Sequence, residues 1–243
     1  VTVERGTTDV TAGDAQIVVG QVIAMANGWW RRLRRTAKIV YEIDDDPFEI
    51  ETVNPAYPHY SPPHVQDSIR HSIEVADLVT VSTPPLAERM RKINPNVVVL
   101  QNRIDEHMLE LVRPRRDKLT IGWAGGESHY DDIKECAYGL RKTLARYADT
   151  VEGHFVGADF RRLVGSPGQP FRFSNWCSKT TDYYKLIDFD IGLAPLRPTR
   201  FAETKSHIKA LEYAALGIPV IASDAAPYRD FVIDGVTGWL VRR

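Results

Sequence analysis

Cysteine is scarce. Only Cys136 and Cys177 occur in the 243 residues, too few for a disulfide scaffold and without metal-site spacing, so they fit a reducing compartment. Long apolar runs are missing as well: nothing approaches the ~18 residues of a membrane span, and Val1 to Val10 has no secretory core. The reading is a cytoplasmic protein with no stable membrane insertion. Nor is there an excess of either charge, because 31 Lys+Arg meet 32 Asp+Glu and leave a formal charge of −1. No global field then draws the chain to nucleic acid or anionic lipid. Internal repeats and low-complexity tracts are absent, and no G-x-G-x-x-G opens a helix, which counts against a dehydrogenase. What remains is ordinary globular material: 43% hydrophobic, 26% charged, 16 Gly and 15 Pro. Its length suits two domains of ~100–150 residues.

Short β-branched runs alternate with helical patterns from Ala15 onward, the signature of parallel α/β units. In the first half, strands are expected at Gln16–Val19, Lys38–Ile43, Leu78–Ser82 and Val97–Leu100. Val65, Ile69, Ile73 and Ala76 share one helical face, and Leu86, Met90 and Ile93 another. Thr83 followed by Pro84 reads as a hydroxyl N-cap with proline at the first helical position. Charged, aperiodic sequence then predicts a linker over 104–118, between an amino-terminal domain of 1–103 and a carboxyl-terminal domain of 119–243. The second series has strands at Leu119–Trp123, Gly153–Val156, Ile191–Ala194 and Pro219–Ala222. Ile133, Cys136, Ala137, Leu140, Leu144 and Tyr147 trace one apolar helical stripe. A further helix is expected near Lys205–Leu216, stopped by Gly217.

Doubly wound sheets hold ligands in the loops at the carboxyl ends of their strands. On a helix starting near Thr204, the residues Lys205, Lys209 and Glu212 fall at i, i+4 and i+7 and share a face. The positive end of the helix and two ammonium groups suit a diphosphate, and the carboxylate suits the hydroxyls of a ribose. The bland reading is an exposed i, i+3 pair on a solvated face.

The segment from Phe201 to Ser223, with Lys205-Ser206-His207-Ile208-Lys209 and Leu211-Glu212-Tyr213-Ala214-Ala215-Leu216-Gly217-Ile218-Pro219, resembles the donor domain of retaining glycosyltransferases of family 4. The likeness extends over Asp190–Val241. Ala76–Thr83 and Asn96–Asp105 resemble the end of that family's first domain. The resemblance implies a GT-B fold, two Rossmann-like doubly wound parallel-sheet domains facing across a cleft, here compact or truncated at both ends. It further implies transfer of a sugar from a UDP- or GDP-sugar to an acceptor hydroxyl, with retention, no cofactor and no metal. Thr204, Lys205, Ser206, Lys209 and Glu212 are then donor-binding.

Some positions depart from the family. Its E-x7-E pair is not kept, since Thr204 stands eight residues before Glu212 and Glu203 is out of register. Its Arg and Lys after the first donor-domain strand are replaced by Gly122-Trp123-Ala124-Gly125-Gly126-Glu127-Ser128-His129. Backbone N–H groups of Gly125 and Gly126 can approach phosphates there, or the glycines serve a tight turn. Phe171–Trp176 resembles the strand and loop at the nucleotide base, where Trp176 either stacks on the base or fills a core.

Glu42-Ile43-Asp44-Asp45-Asp46 gathers carboxylates at a strand end, and like charges there require an offset. A D-x-D site for a divalent cation is one reading. The family resemblance instead makes Asp44 and Asp45 catalytic, orienting an acceptor hydroxyl or balancing positive charge, and exposed loop aspartates are the third reading. The Pro- and aromatic-rich loop Asn54–His64 is stiff and suits an acceptor cover. His59, His64 and His71 match no metal motif. Arg31, Arg32, Arg34 and Arg35 after Trp29-Trp30 read as a solvated helix end. The alternatives to a transferase are a nucleotide-sugar 2-epimerase of the same architecture and a binding module without catalysis. Saccharide, lipid, protein and modified nucleic-acid bases all remain open as acceptors.

Overall fold

In the computed structural model, residues 17–21, 34–114, 116–165 and 170–242 are described. They form two compact units, one from the described residues up to Thr52 with Ala56–Gln101 and the other from Val53–Pro55 with the described residues from Asn102 onward. Strand β1 (Ile17–Gln21), β2 (Lys38–Ile43), β3 (Leu78–Val81) and β4 (Val97–Val99) make the first sheet, in that order and parallel throughout. The expected strand start at Gln16, and Trp29 to Arg32, lie outside the described residues, whereas Arg34 and Arg35 are exposed in the turn before β2. Helices α1 (Tyr57–Tyr60), α2 (Pro63–Val75) and α3 (Pro84–Met90) belong to this half. Ile39, Tyr41, Ile43, Ile69, Ile73, Val79, Val81 and Leu86 are fully or nearly fully buried in its core. Each such aliphatic side chain is worth about 1.5–3 kcal/mol. The start of α3 follows the sequence signal, with the Thr83 hydroxyl accepting from the Leu86 N–H at 3.3 Å and proline next.

In the second unit, β5 (Leu119–Gly125), β6 (Val151–Gly157), β7 (Phe171–Asn175), β8 (Ile191–Ala194), β9 (Val220–Ser223) and β10 (Gly238–Val241) make one parallel sheet. The order is β10-β9-β8-β5-β6-β7, so the chain winds outward one way from β5 and the other way from β8. Between those two strands lies the topological switch point of a doubly wound sheet, where a crevice opens at the carboxyl ends. Apolar side chains cover both faces, which is why β5 is buried from Thr120 to Gly125. On one face packs α4 (Tyr130–Arg146) through Ile133, Ala137, Leu140 and Leu144. Tyr147, expected on that stripe, follows the helix and is 46% exposed.

Residues 104–118 are grouped with this second unit, and a 3-10 turn at Glu106–Glu110 buries Met108 completely in its core. The other elements are α5 (Arg161–Val164), α6 (Thr180–Leu186), α7 (Arg200–Glu203), α8 (Ile208–Ala215) and α9 (Ala226–Arg229). The single helix expected near Lys205–Leu216 is corrected. Thr199 caps α7 by accepting from the Ala202 N–H at 3.1 Å, α7 ends at Glu203 with Thr204 as its C-cap, and α8 begins only at Ile208. Lys205 therefore sits in the connection, not on one face with Lys209 and Glu212. The predicted stop holds, with Gly217 at φ +65° just beyond α8. No helix among the described residues is long and apolar enough to cross a membrane.

Candidate active site

The carboxyl end of β5 is built by its neighbours. Gly125 and Gly157 close the paired strands β5 and β6, and the Ala158 N–H donates to Gly125 O at 2.9 Å. A Cβ on Gly157, whose φ is +94°, would lie 2.3 Å from Gly125 O. One on Gly125 would lie 2.5 Å from Lys209 Nζ. Bare backbone is thus required where the strands stop, with an ammonium group directly against it. Gly126 follows, exposed and with open space beside its Cα.

Lys209 is placed there by Tyr213, one turn later on α8. Tyr213 is completely buried; its hydroxyl accepts from the Ala124 N–H at 3.2 Å and donates to Leu193 O at 3.3 Å, which pins α8 to β5 and β8 at once. Lys209 then donates to Ala124 O at 2.9 Å and stands 4.9 Å from the centre of the Trp123 ring. Only 9% of Lys209 is exposed, so a charge this deep acts through little water. Lys205 lies 4.5 Å from the Phe201 ring centre. Both lysines act on one imidazole, His129, in the turn that follows the glycines. His129 Nδ1 is 2.8 Å from Asp132 Oδ2, and Asp132 Oδ1 accepts from the Arg197 N–H at 2.9 Å. Burial, and after it Lys209, pushes His129 down to about 4; Asp132 pulls upward and Lys205 adds to the fall.

Glu212 is one turn beyond Lys209. Burial pushes its carboxyl up to about 7 while Lys209 pulls it down. Thr204 is buried, its hydroxyl donating to Phe201 O at 3.0 Å, so it ends α7. The Ser206 hydroxyl accepts from Asn102 Nδ2 at 2.8 Å. Trp176 is 61% exposed at the end of β7, its ring 5.0 Å from that of Tyr183, which overturns the core reading of this tryptophan. It also leans over the end of β6, 3.3 Å from the space a Cβ on Gly157 would take. The structure therefore gathers Gly125, Gly126, Lys205, Lys209 and Glu212 around the switch point, with Trp176 near Gly157. Sequence reasoning passed over His129, Asp132 and Tyr213, although His129 and Asp132 have the i, i+3 spacing of facing groups.

The aspartate cluster belongs to the first unit, at the carboxyl end of β2. Its three carboxylates have different surroundings. Asp46 is 1% exposed, bound to Arg89 at 2.8 Å and accepting from the Phe48 N–H at 3.0 Å. Arg89 is thus the offset that the like charges required. Asp44 is raised above the ordinary carboxylate value by desolvation, then by Glu42 and Asp45, and its carbonyl accepts from the Ser82 hydroxyl at 2.8 Å. Among the described residues no group of three or more His, Cys, Asp or Glu side chains is arranged to hold a metal ion.

Solved structures share this architecture. A structure described as trehalose-6-phosphate from E. coli bound with UDP-2-fluoro glucose is 13% identical with a TM-score of 0.58, over 89% of this chain and 60% of that one. Anabaena Alr3699/HepE in complex with UDP is 14% identical with a TM-score of 0.60, over 95% of this chain and 66% of that one. A mutant of S. aureus TarM in complex with fondaparinux, alpha-GlcNAc-glycerol and UDP gives 14% and 0.61, over 93% of this chain and 45% of that one. The chain thus spans less than two thirds of the length of these proteins, and at such identities the likeness is one of fold, the GT-B fold of two parallel-sheet α/β units. No curated protein matches the sequence. The family described as Glycosyl transferases group 1 matches over residues 118–243, more than half of the chain and the whole of the six-stranded sheet with the helix that carries Lys209. By that match the protein belongs to the glycosyl transferases group 1 family.

Proposed function

We propose that this protein transfers a sugar from a nucleotide diphosphate sugar to an acceptor hydroxyl, with retention at the anomeric carbon and without a metal. The observation that carries the reading is Lys209, buried against Ala124 O and Gly125 at the end of β5, with Lys205 in the connection just before its helix. When the glycosidic bond breaks, negative charge grows on the departing nucleoside diphosphate. Cations already in place stabilise that charge more in the transition state than in the ground state. In this reading Gly125 and Gly126 offer N–H groups to the phosphates, with Thr204 and Ser206 in the same connection. Glu212, at about 7, takes the ribose, because a carboxyl poised there both donates to and accepts from a vicinal diol. Trp176 is the platform for the base, and the complexes of HepE and of the E. coli protein favour UDP. Asp44 and Asp45 are assigned to the acceptor side, where a carboxyl with a raised value suits proton exchange with a hydroxyl.

The test is turnover of UDP- and GDP-sugars, scored as sugar transfer and as donor hydrolysis, in Lys205→Ala and Lys209→Met. Loss of one such donor costs about 10²–10³ in turnover, with folding checked by circular dichroism. Wild-type rates in both variants would sink the assignment.

A further inference from the structure

His129 and Asp132 have no role in the reading above, yet they face the lysines that carry it. Asp132 comes from the first turn of α4, and its two oxygens are divided between His129 Nδ1 and the Arg197 N–H. As a carboxylate it only accepts, so the neutral imidazole must hold its proton on Nδ1. Nε2 is then left with a lone pair. The side chains of both residues are 13% exposed. The His129 ring also stands 5.7 Å from the Trp123 ring, edge-on, and Lys209 approaches the same indole at 4.9 Å. Trp123 thereby holds the imidazole and the ammonium group on one platform. The charged groups acting on His129 are Lys209 from α8, Lys205 from the connection before it, and Asp132 from α4; β5 contributes only the uncharged indole.

We propose that His129 is the proton-accepting member of the diphosphate site: as a nucleotide diphosphate arrives, Nε2 takes a proton from solvent and the imidazolium, held by Asp132, becomes a third cation toward the phosphates. The inference rests on the donor-site reading above. Its physical cause is a reversal of sign. Desolvation and two ammonium groups oppose protonation of the ring. A diphosphate diester carries two negative charges, which offset both lysines and leave Asp132 to favour the charged ring. Uptake of the proton is therefore part of binding, and donor affinity rises as pH falls.

The experiment is titration calorimetry with UDP-glucose and GDP-mannose, whose diphosphates have no group titrating between about pH 5 and 8, in buffers of different ionisation enthalpy. Wild-type protein is expected to take up close to one proton per nucleotide near pH 5.5, with Kd tightening by up to about tenfold per pH unit from 7 to 5. In His129→Gln the uptake near pH 5.5 and the pH slope below about pH 6 should vanish while binding at pH 8 persists. Glu212 also titrates in this range, and the His129 variant separates the two. Should that variant fail to fold, the imidazole carbon and nitrogen shifts of His129 in wild-type protein, free and with UDP-glucose, report the same protonation. Binding without proton uptake near pH 5.5, or uptake at that pH that survives in His129→Gln, overturns this inference and leaves the donor site standing. Binding of neither nucleotide sugar at any pH overturns the donor site, and this inference with it.

Discussion

Opposite ends of the same six-stranded sheet handle charge in opposite ways. At the amino ends of the strands, Asp188 accepts from Arg172 at 3.0 and 3.2 Å, from Arg116, and from His154 Nδ1 at 2.7 Å. Arg172 reaches Glu152 at 2.7 Å, Thr120 also reaches Glu152 at 3.1 Å, and the Ser174 hydroxyl stands 2.9 Å from His154 Nε2. Burial would raise Asp188, but hydrogen bonds from His154 and Arg172 hold it well below the ordinary carboxylate value. Even the cavity of about 290 Å³ at this end is lined by Arg113 and Arg116, both turned to protein acceptors, Phe189 O and Asp188. At the carboxyl ends the arrangement is reversed. Lysines converge, and the nearby histidine is pushed down in consequence. At the amino ends opposite charges are paired with one another, whereas at the carboxyl ends two ammonium groups act on a single imidazole.

The sharpest way to break this contrast is at the amino end. Asp188→Ala leaves buried His154 and two arginines without their shared acceptor, and breaking a buried pair costs about 3–5 kcal/mol. Urea denaturation should show that loss, while the folded fraction binds UDP with wild-type affinity. A drop in affinity without a loss of stability would mean the two ends are not separate in function.

How much of this was open to view from the residues follows the same division. Most strands were legible because short apolar runs bounded by turn residues leave few other choices; Lys38–Ile43 and Ile191–Ala194 appear as expected, whereas the edge strand β10 was not anticipated. The helix at 205–216 was misplaced because apolar spacing cannot register a break. What ends α7 is the hydroxyl of Thr204 turned back on Phe201 O, and a threonine inside a helical pattern carries no such mark. Lys209 and Glu212 could be singled out together because one segment holds both. His129 was missed because its character comes from lysines far along the chain, as the offset for Asp46 comes from Arg89. Pairings between distant segments are what a single sequence conceals.

Trp176 sharpens the contrast from the ligand side. Its ring is mostly in water, so Trp176→Ala removes little buried area and should leave stability within about 0.5 kcal/mol. If it carries the base, stacking worth about 1–3 kcal/mol is lost. Fluorescence titration with UDP should then show a several-fold to hundredfold weaker Kd. Unchanged affinity would remove Trp176 from the site.

The smallest effect concerns Glu212, and its sign can be worked out in advance. The carboxyl has an ordinary value of 4.5 and stands at about 7 in the folded chain. Between those pH values the folded state holds a proton that the unfolded state has lost, so stability is greatest below the window and falls as pH rises through it. His129 acts the other way. Its value drops from 6.5 to about 4, so the unfolded state holds the extra proton and stability rises with pH across that interval. The two slopes oppose each other where they overlap, and ligand-free wild-type protein should show only a shallow dependence there from this end of the sheet. Glu212→Gln deletes the falling slope alone. Urea midpoints between pH 4.5 and 6.5 should therefore climb with pH more steeply in the variant, by at most about 1.4 kcal/mol per pH unit. Parallel curves for variant and wild type would mean that Glu212 is ionised throughout, and a carboxylate that stays charged beside Lys209 would neutralise part of the field on which the contrast between the two ends depends.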